Sequence, residues 1–204
     1  MASRVATLST VSPRKRLAAL GVLLVALILV ALLVTRPNTS APRSANLSRS
    51  TVATALAGSP AALASLHTQS NQLLGGGTTA FKARLKALRG HPVVVNEWAS
   101  WCEPCQTEFP VFQRASVDFG RRVAFIGLDA RDTNGAAGAF LHRFPVSYPS
   151  YADPSQRIGR FLKAVGGVPQ TVYINRKGEQ VFDHAGPYET AASLKADIQR
   201  YALR

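Results

Sequence analysis

The hydrophobic positions of the chain form two kinds of pattern. Residues 17–34 are an uninterrupted apolar run of 18 residues, which at about 1.5 Å per helical residue spans about 27 Å, close to the hydrocarbon thickness of a bilayer. Beyond residue 90, short runs of β-branched residues alternate with segments whose apolar residues recur at helical spacing. The pattern predicts a membrane-spanning helix near the N-terminus, followed by an α/β domain.

The elements of the α/β domain follow from these periodicities. The segment 61–74 has a helical composition but a poor periodicity, and the glycines at 75–77 separate it from a predicted helix that ends near residue 88. A turn-rich stretch at 145–154 leaves room for a short strand. Strands are predicted at 92–98, 122–128, 170–175 and 179–184, and helices at 103–119, 135–144, 155–165 and 189–203. Because the alternation ends in a hairpin at 176–178, we expect a mixed central sheet flanked by helices, with parallel strands first and an antiparallel edge last.

The apolar run could be a cleaved signal peptide or a retained anchor. Secretory apolar regions are usually about 7–15 residues long and end in a small-x-small site, whereas this run is longer and is followed by Thr-Arg-Pro at 35–37. We therefore predict a retained anchor. The basic cluster at 14–16 favours an N-terminus in the cytoplasm and a domain outside it. The predicted organisation is a basic tail at 1–16, a transmembrane anchor at 17–35, a flexible Ser-, Thr-, Ala- and Pro-rich linker at 36–60, and a folded domain at 61–204.

The formal net charge of +13 does not indicate a nucleic-acid-binding domain. All 11 acidic residues lie at or beyond Glu97, and 11 basic residues precede that position without an acidic counterpart. From Glu97 to the end, 13 basic residues accompany the 11 acidic ones. The excess of positive charge therefore belongs to the tail, the linker and one short segment, and we predict no nucleic-acid partner.

Both cysteines of the chain lie in the motif Cys102-Glu103-Pro104-Cys105. Because the motif follows a predicted strand and begins a helix, Cys102 should lie at a helix N-terminus, where free N–H groups and the helix dipole stabilise a thiolate. Cys105, one turn deeper, can close a disulfide and resolve a mixed disulfide. Pro104 suits the first helical turn, and the negative charge of Glu103 favours a reducing pair. The motif predicts a nucleophilic Cys102.

A zinc half-site is the alternative interpretation of two cysteines at this spacing. A structural zinc ion takes about four ligands, but the chain has no second Cys-x-x-Cys, and its histidines are scattered at 67, 91, 142 and 184. We therefore expect redox chemistry with neither a metal nor another cofactor.

Residues 93–105 (VVVNEWASWCEPC) resemble the active-site segment of the thioredoxin superfamily, and within it the membrane-anchored TlpA/ResA/CcmG group. Pro110, five residues after Cys105, matches the proline that kinks the active-site helix, and 167–171 (GVPQT) resembles the cis-proline loop. About 20 residues near 132–153 match the helix-and-strand insertion of the TlpA-like branch. The resemblance covers about residues 60–204 and implies a thioredoxin-like fold with this insertion.

Glu108 is the third catalytic candidate. Thioredoxins usually place a buried aspartate six residues before the first cysteine, where this chain has Asn96. The resemblance implies that Glu108, three residues after Cys105, takes the proton of that cysteine during resolution. A half-buried carboxyl group would have a raised pKa suited to this exchange. The alternative is a solvated carboxylate on the helix surface.

The substrate-binding residues are expected around the motif. A cis Val168–Pro169 bond would bring backbone near Cys102 to pair with an incoming peptide strand. An aromatic residue next to a nucleophile suits a contact surface, which predicts that Trp101 binds substrate. The predicted substrate-binding residues are Trp101, Glu103, Pro104, Val168 and Pro169.

Glu97 departs from the family pattern, which usually has an apolar or aromatic residue at this position. A charge within a central strand must be paired or face a solvated rim. Pairing with a nearby basic residue is the simpler expectation. A second carboxylate near the active site and a place on a partner surface are the alternatives.

The resemblance implies an enzyme that is a single-pass membrane protein with its domain on the extracytoplasmic side. Its expected substrates are protein disulfides such as apocytochrome c cysteines, and its expected partner is a membrane thiol donor or acceptor protein. Two other functions stay open. One is an oxidant that installs disulfides with the same residues at a higher reduction potential. The other is a non-catalytic module whose cysteine pair holds a metal ion or a static bridge.

Overall fold

The computed structural model describes residues 47–204. These residues form seven α-helices, six strands and a terminal π-helical turn. The helices are α1 (Arg49–Leu56), α2 (Ala61–His67), α3 (Gly77–Ala87), α4 (Glu103–Phe119), α5 (Asn134–Arg143), α6 (Arg157–Phe161) and α7 (Ala191–Asp197), which continues into the π-helical turn Ile198–Ala202. The strands are β1 (Leu73–Leu74), β2 (Val93–Trp98), β3 (Ala124–Ala130), β4 (Ser150–Asp153), β5 (Gln170–Ile174) and β6 (Gln180–Ala185).

The six strands form one mixed sheet in the order β1-β4-β3-β2-β5-β6. The β1–β4, β4–β3 and β3–β2 pairs are parallel, whereas β5 is antiparallel to both β2 and β6. This topology confirms the predicted thioredoxin-like α/β fold with parallel strands first and an antiparallel edge. The predicted insertion is also present, since α5 and β4 lie between β3 and α6.

The sheet separates two apolar layers because alternate residues of a strand point to opposite faces. On β2, Val94 and Trp98 belong to a front layer, and Val93 and Val95 belong to a back layer. Helices α4, α5 and α7 cover the front face, and α2, α3 and α6 cover the back face. A fully buried large apolar side chain contributes about 1.5–3 kcal/mol to the stability of the fold. Because both layers contain several such side chains, they hold the sheet in place below the motif.

Helix α4 spans the predicted residues and begins directly after Cys102. The Cys102 Sγ accepts a hydrogen bond from the Cys105 backbone N–H at 3.2 Å, which makes Cys102 the N-cap. Pro104 lies in the first turn, where no intrahelical N–H is required. The apolar side chains of Phe109 and Phe112 anchor the helix to the front layer, and this anchoring fixes the position of the motif.

The prediction of a flexible linker at 36–60 is wrong for residues 49–56, because Arg49–Leu56 forms helix α1. Ser48 caps this helix by accepting a hydrogen bond from the Thr51 backbone N–H at 3.1 Å. Leu56 is buried beside Gly120, where an added Cβ would lie 2.6 Å from a Leu56 methyl carbon. Tertiary packing of Leu56 thus orders a segment whose Ser- and Thr-rich composition is typical of linkers.

The ambiguous segment 61–74 contains helix α2 and the edge strand β1. The predicted anchor at 17–35 lies outside the described residues. Within residues 47–204, none of the helices has the length and apolar character needed to cross a bilayer.

Candidate active site

The two cysteines form a disulfide at the N-terminus of α4. Cys102 retains 4% of its surface exposed, whereas Cys105 has none. An attacking thiolate must reach the surface and a resolving thiol need not, so this asymmetry fits the predicted order of the two roles. The free N–H groups of the first helical turn surround Cys102 and favour its thiolate form after reduction.

Glu108 is fully buried one turn beyond Cys105 and is not the solvated carboxylate of the alternative interpretation. Its Oε1 accepts a hydrogen bond from Asn96 Nδ2 at 2.6 Å, and its Oε2 accepts one from the Tyr188 backbone N–H at 3.1 Å. Burial raises the pKa of Glu108 to about 7, although the two hydrogen bonds lower it. Near neutral pH this carboxyl group can therefore both take and release a proton beside Cys105.

Glu97 lies on the opposite face of the sheet from the cysteine pair. It shares the back face with Val93 and Val95, and its side chain is almost completely buried. Neither carboxylate oxygen has a hydrogen-bond partner among the described residues. Burial, followed by the nearby carboxylate of Asp153, raises the pKa of Glu97 to about 7 against the opposing effect of Arg131. The expected ion pair is therefore wrong, because no basic side chain in residues 47–204 lies within 4 Å of Glu97.

Two further acidic residues, Asp129 and Asp132, lie near the loop before Cys102. Asp132 Oδ2 accepts a hydrogen bond from the Ser100 backbone N–H at 2.6 Å, which fixes the chain two residues before the reactive sulfur. Asp129 is buried on the neighbouring strand. Burial, followed by the effect of the adjacent Asp132, raises the pKa of Asp129 to about 8. The neutral form of Asp129 is therefore favoured near pH 7.

The predicted substrate-binding residues differ in their exposure to solvent. Trp101 is 56% exposed, and the Arg131 guanidinium lies 5.3 Å from its ring centroid. Glu103 and Pro104 are also exposed on the first turn of α4. The Trp101 ring and the first turn of α4 thus form an accessible surface around Cys102.

The loop before β5 completes this surface. The Val168–Pro169 bond is cis, as predicted. Gln170 pairs with Glu97 near the end of β2. The preceding Pro169 therefore lies at the end of the strands where β2 leads into the segment that contains Cys102. Val168 is partly exposed, whereas Pro169 is buried.

Sequence reasoning missed three contributors to this site. The sequence shows Asn96 in place of the usual aspartate, but it does not show that Asn96 donates a hydrogen bond to Glu108. The alternation of Val94, Asn96 and Trp98, which places all three on the front face, is the only signal for this contact. Tyr188 contributes only a backbone N–H, which leaves no signal in the sequence. Asp132 lies far along the chain from Ser100, and no local pattern predicts their contact.

No group of three or more His, Cys, Asp or Glu side chains within residues 47–204 is arranged to hold a metal ion. Fold and site together define a thioredoxin-like protein with a Cys-x-x-Cys disulfide at the start of a helix.

Comparison with known proteins gives the family. Residues 69–180 match the family model described as the AhpC/TSA family, and the chain belongs to this family. The thiol-disulfide oxidoreductase ResA of Bacillus anthracis is 32% identical over 102 residues, which are 49% of this chain and 58% of the relative. The thiol:disulfide interchange protein DsbE of Pseudomonas fluorescens biotype C is 36% identical over 92 residues, which are 45% and 49% of the two chains. The chain therefore spans less than two thirds of the length of these relatives.

A solved structure agrees with the fold. The crystal structure of a protein provisionally assigned as the thiol:disulfide interchange protein DsbE of Chlorobium tepidum superposes with a TM-score of 0.53 at 25% identity. The superposition covers 57% of this chain and 83% of that chain. The resemblance to the ResA-containing group of thioredoxin-like proteins is thus confirmed.

Proposed function

We propose that this chain is a thiol–disulfide oxidoreductase of the ResA/DsbE type that reduces disulfides of protein substrates outside the cytoplasm. One observation carries the proposal. The Cys102–Cys105 disulfide lies at the N-terminus of α4, with Cys102 slightly exposed, Cys105 fully buried and a buried carboxyl group, Glu108, one turn beyond Cys105. This arrangement supplies a nucleophile, a resolving thiol and a proton acceptor in sequence along one helix.

The reaction proceeds in two exchanges from the reduced dithiol. The Cys102 thiolate attacks one sulfur of the substrate disulfide, forms a mixed disulfide and displaces the first substrate thiolate. Cys105 then loses its proton to Glu108 and attacks the Cys102 sulfur. The second substrate thiolate leaves, and Cys102 and Cys105 remain joined as a disulfide. Two electrons have moved from the enzyme to the substrate, and an external dithiol must reduce the pair again.

The surroundings of Glu108 suit the second exchange. Cys105 has no access to water, so its proton needs an acceptor within the protein. A carboxyl group with a pKa of about 7 is partly ionised at neutral pH and can accept that proton without remaining permanently charged. Asn96 and the Tyr188 backbone N–H hold both carboxylate oxygens in place.

The substrate is proposed to bind as an extended peptide across the surface formed by Trp101, the first turn of α4 and the Val168–Pro169 loop. The exposed indole of Trp101 offers an apolar contact beside Cys102. The loop leads into β5 at the level of the end of β2, where a peptide strand can approach the sulfur. The names of the relatives specify thiol–disulfide exchange, and the resemblance favours apocytochrome c cysteines as the substrate and a membrane protein as the thiol donor.

A trapping experiment in cells tests the function and identifies the substrate. Cys105→Ser leaves Cys102 without a resolving thiol, so mixed disulfides with substrates should accumulate on non-reducing gels and disappear with dithiothreitol. Cys102→Ser is the matched control and should trap nothing. Equal trapping by both variants, or by neither, would reject the proposed division of roles.

The reduction potential of the pair determines the direction of electron flow. A value near that of thioredoxin, about −270 mV, supports a reductant, whereas a value above about −180 mV supports an oxidant that installs disulfides. The protein is equilibrated with reduced and oxidised glutathione at defined ratios, and the redox state of the pair is monitored by tryptophan fluorescence.

A further inference from the structure

A cavity of about 860 Å³ lies beside the middle of α4, away from its redox-active N-terminus. Its walls come from α1, the end of α2, the Phe109–Gln113 side of α4 and the segment 142–147. None of the proposed catalytic or substrate-binding residues lines it. This volume is in the range of about 300–1,000 Å³ that is typical of small-molecule sites. We refer to this cavity as the lateral groove.

The walls of the lateral groove are mainly apolar. Side chains from three separate parts of the fold face it, namely Val52, Leu56, Phe109, Pro110, Phe144 and Val146. Leu56, Phe109 and Val146 are otherwise buried, so the groove reaches the front layer of the core. Such walls suit a ligand with an apolar body.

Most of the polar side chains that line the groove make a hydrogen bond within the protein. Asn71 donates to the Leu141 carbonyl and accepts from the Val146 N–H, and Gln113 accepts from the Ser147 N–H. The lining hydroxyl groups of Ser59, Thr68, Ser70 and Ser147 each make a hydrogen bond to another protein group. A bound peptide would leave its backbone N–H and C=O groups with few partners here, whereas an alkyl chain needs none.

The ionisable side chains that line the groove carry only one sign of charge. They are Arg49, His67, His142 and Arg143, and no carboxylate within residues 47–204 lines the groove. Arg49, His142 and Arg143 are exposed and lie at its rim. Burial lowers the pKa of His67, which favours its neutral form, whereas Arg49 and Arg143 keep a permanent positive charge at the rim. The Arg143 guanidinium lies 5.1 Å from the centroid of the Phe144 ring, next to an apolar wall.

We propose that the lateral groove binds a fatty acid, with the alkyl chain against the apolar walls and the carboxylate at Arg49 and Arg143. Mainly apolar walls, with most of the lining polar side chains already hydrogen-bonded, select the chain, and a rim of positive charge without carboxylates selects the acid over a neutral lipid. The inference is independent of the redox chemistry, because it uses neither cysteine and none of the residues around them.

Photocrosslinking of the full-length protein tests the proposal. A dodecanoic acid that carries a diazirine near its terminal methyl group is irradiated with the protein in detergent micelles, and the labelled peptides are mapped by mass spectrometry. The label should be found on the wall segments of the groove. Dodecanol with the same diazirine is the matched neutral ligand and should label these segments less.

Substitutions at the rim separate specific binding from partition into the micelle. The double variant R49Q/R143Q should raise the half-saturating concentration of the acid about tenfold, roughly threefold for each exposed charge pair, and should leave labelling by the alcohol unchanged. R200Q is the matched control, since Arg200 is an exposed arginine over the ring of Tyr201 at 5.2 Å, outside the groove. V52W, which places an indole in the groove, should abolish labelling by both ligands.

Three results would overturn the proposal. They are equal labelling of the wall segments by acid and alcohol, insensitivity of the labelling to R49Q/R143Q, and labels confined to residues outside the groove. The readout is binding alone, so a failure here is distinguishable from a failure of the proposed oxidoreductase activity.

Discussion

Glu108 illustrates how a single buried side chain is adjusted for proton transfer. Desolvation favours its neutral form, and the hydrogen bonds from Asn96 and the Tyr188 backbone N–H favour its charged form. The balance leaves a pKa of about 7. The carboxyl group is therefore available in both protonation states at the pH at which thiols and disulfides exchange.

Glu108→Gln should slow the release of substrate from the mixed disulfide on the order of 100-fold, because general base catalysis commonly contributes about this much. The wild-type rate of this step should rise with pH through about 7 as Glu108 loses its proton, and the variant should lose that rise. Single-turnover kinetics with a preformed mixed disulfide measures the step directly. Glu103→Gln, at an exposed position on the same helix, is the control and should keep the rise. An unchanged rate and pH profile in the Glu108 variant would remove it from the mechanism.

Glu97 is a buried acid that the proposed chemistry does not use. Its pKa of about 7 in the folded chain is above the value near 4.5 of an exposed glutamate. Below about pH 4.5 the Glu97 carboxyl group is neutral in both the folded and the unfolded state, so its burial costs no ionisation free energy there. Between about pH 4.5 and 7 the unfolded state ionises first, and the folded state loses relative stability until its own carboxyl group ionises.

Glu97→Gln should therefore raise the free energy of unfolding relative to the wild type as the pH increases. The difference between the two proteins should grow by up to about 3 kcal/mol from pH 4 to pH 8, with the change concentrated between pH 4.5 and 7. Urea unfolding at several pH values measures it. Glu189→Gln makes the same substitution at an exposed position and controls for composition. A difference that is constant with pH would contradict the assigned environment of Glu97.

At the level of elements, close packing between β2, β3 and β4 positions the end of β2 beneath the redox centre. Gly127 on β3 leaves room for the hydrogen bond that Trp98 Nε1 donates to Ser150 Oγ at 3.2 Å. A Cβ at Gly127 would lie 2.1 Å from Ser150 Oγ and 2.9 Å from Trp98 Nε1. Trp98 also stacks on Phe140 with ring centroids 4.7 Å apart, so this one contact joins three strands and α5.

Gly127→Ala should destabilise the fold by about 3 kcal/mol, because the added methyl group overpacks the interior and disrupts the Trp98–Ser150 hydrogen bond. Gly138→Ala is the matched substitution in the interior of α5, where an added Cβ meets nothing within 4 Å. It should stabilise the fold by about 0.5–1 kcal/mol through helix propensity. Thermal unfolding of both variants gives the comparison, and equal effects would contradict the packing described for β3.

The elements that sequence predicts well are those with strong periodicity. Helix α4 and strands β2, β5 and β6 lie close to their predicted positions, since apolar alternation and the hairpin turn mark them. Helix α1 was missed because its stability depends on the burial of Leu56 beside Gly120, a contact across more than 60 residues. Similarly, one motif singles out Cys102 and Cys105, and the family resemblance points to Glu108, whereas Asn96, Tyr188 and Asp132 contribute through tertiary contacts.

For the whole molecule, the proposed membrane anchor would determine where the redox centre works. The apolar run at 17–34 precedes a domain whose described residues contain no membrane-spanning helix. A retained anchor would confine Cys102 to a layer near the membrane surface and bring it close to a membrane thiol donor.

Extraction of membranes with alkaline carbonate tests the anchor. The full chain should stay in the pellet, and a fusion protein that carries residues 1–36 before an unrelated soluble domain should stay there too. Arg substitutions at two central positions of the run, Leu24 and Leu27, should release both proteins. If the protein without substitutions were instead recovered in the soluble fraction, shortened by the length of the N-terminal run, the run would be a cleaved signal peptide.

The central claim is that Cys102 is the attacking thiolate of a redox-active dithiol. Its most direct measurement is the rate of iodoacetamide alkylation of each cysteine in the reduced full-length protein as a function of pH, with the modified residue located by mass spectrometry. The account predicts that Cys102 is alkylated first and titrates below about 8.5, the ordinary value for a thiol, while Cys105 resists modification. Preferential alkylation of Cys105, or a Cys102 that titrates as an ordinary thiol, would contradict it.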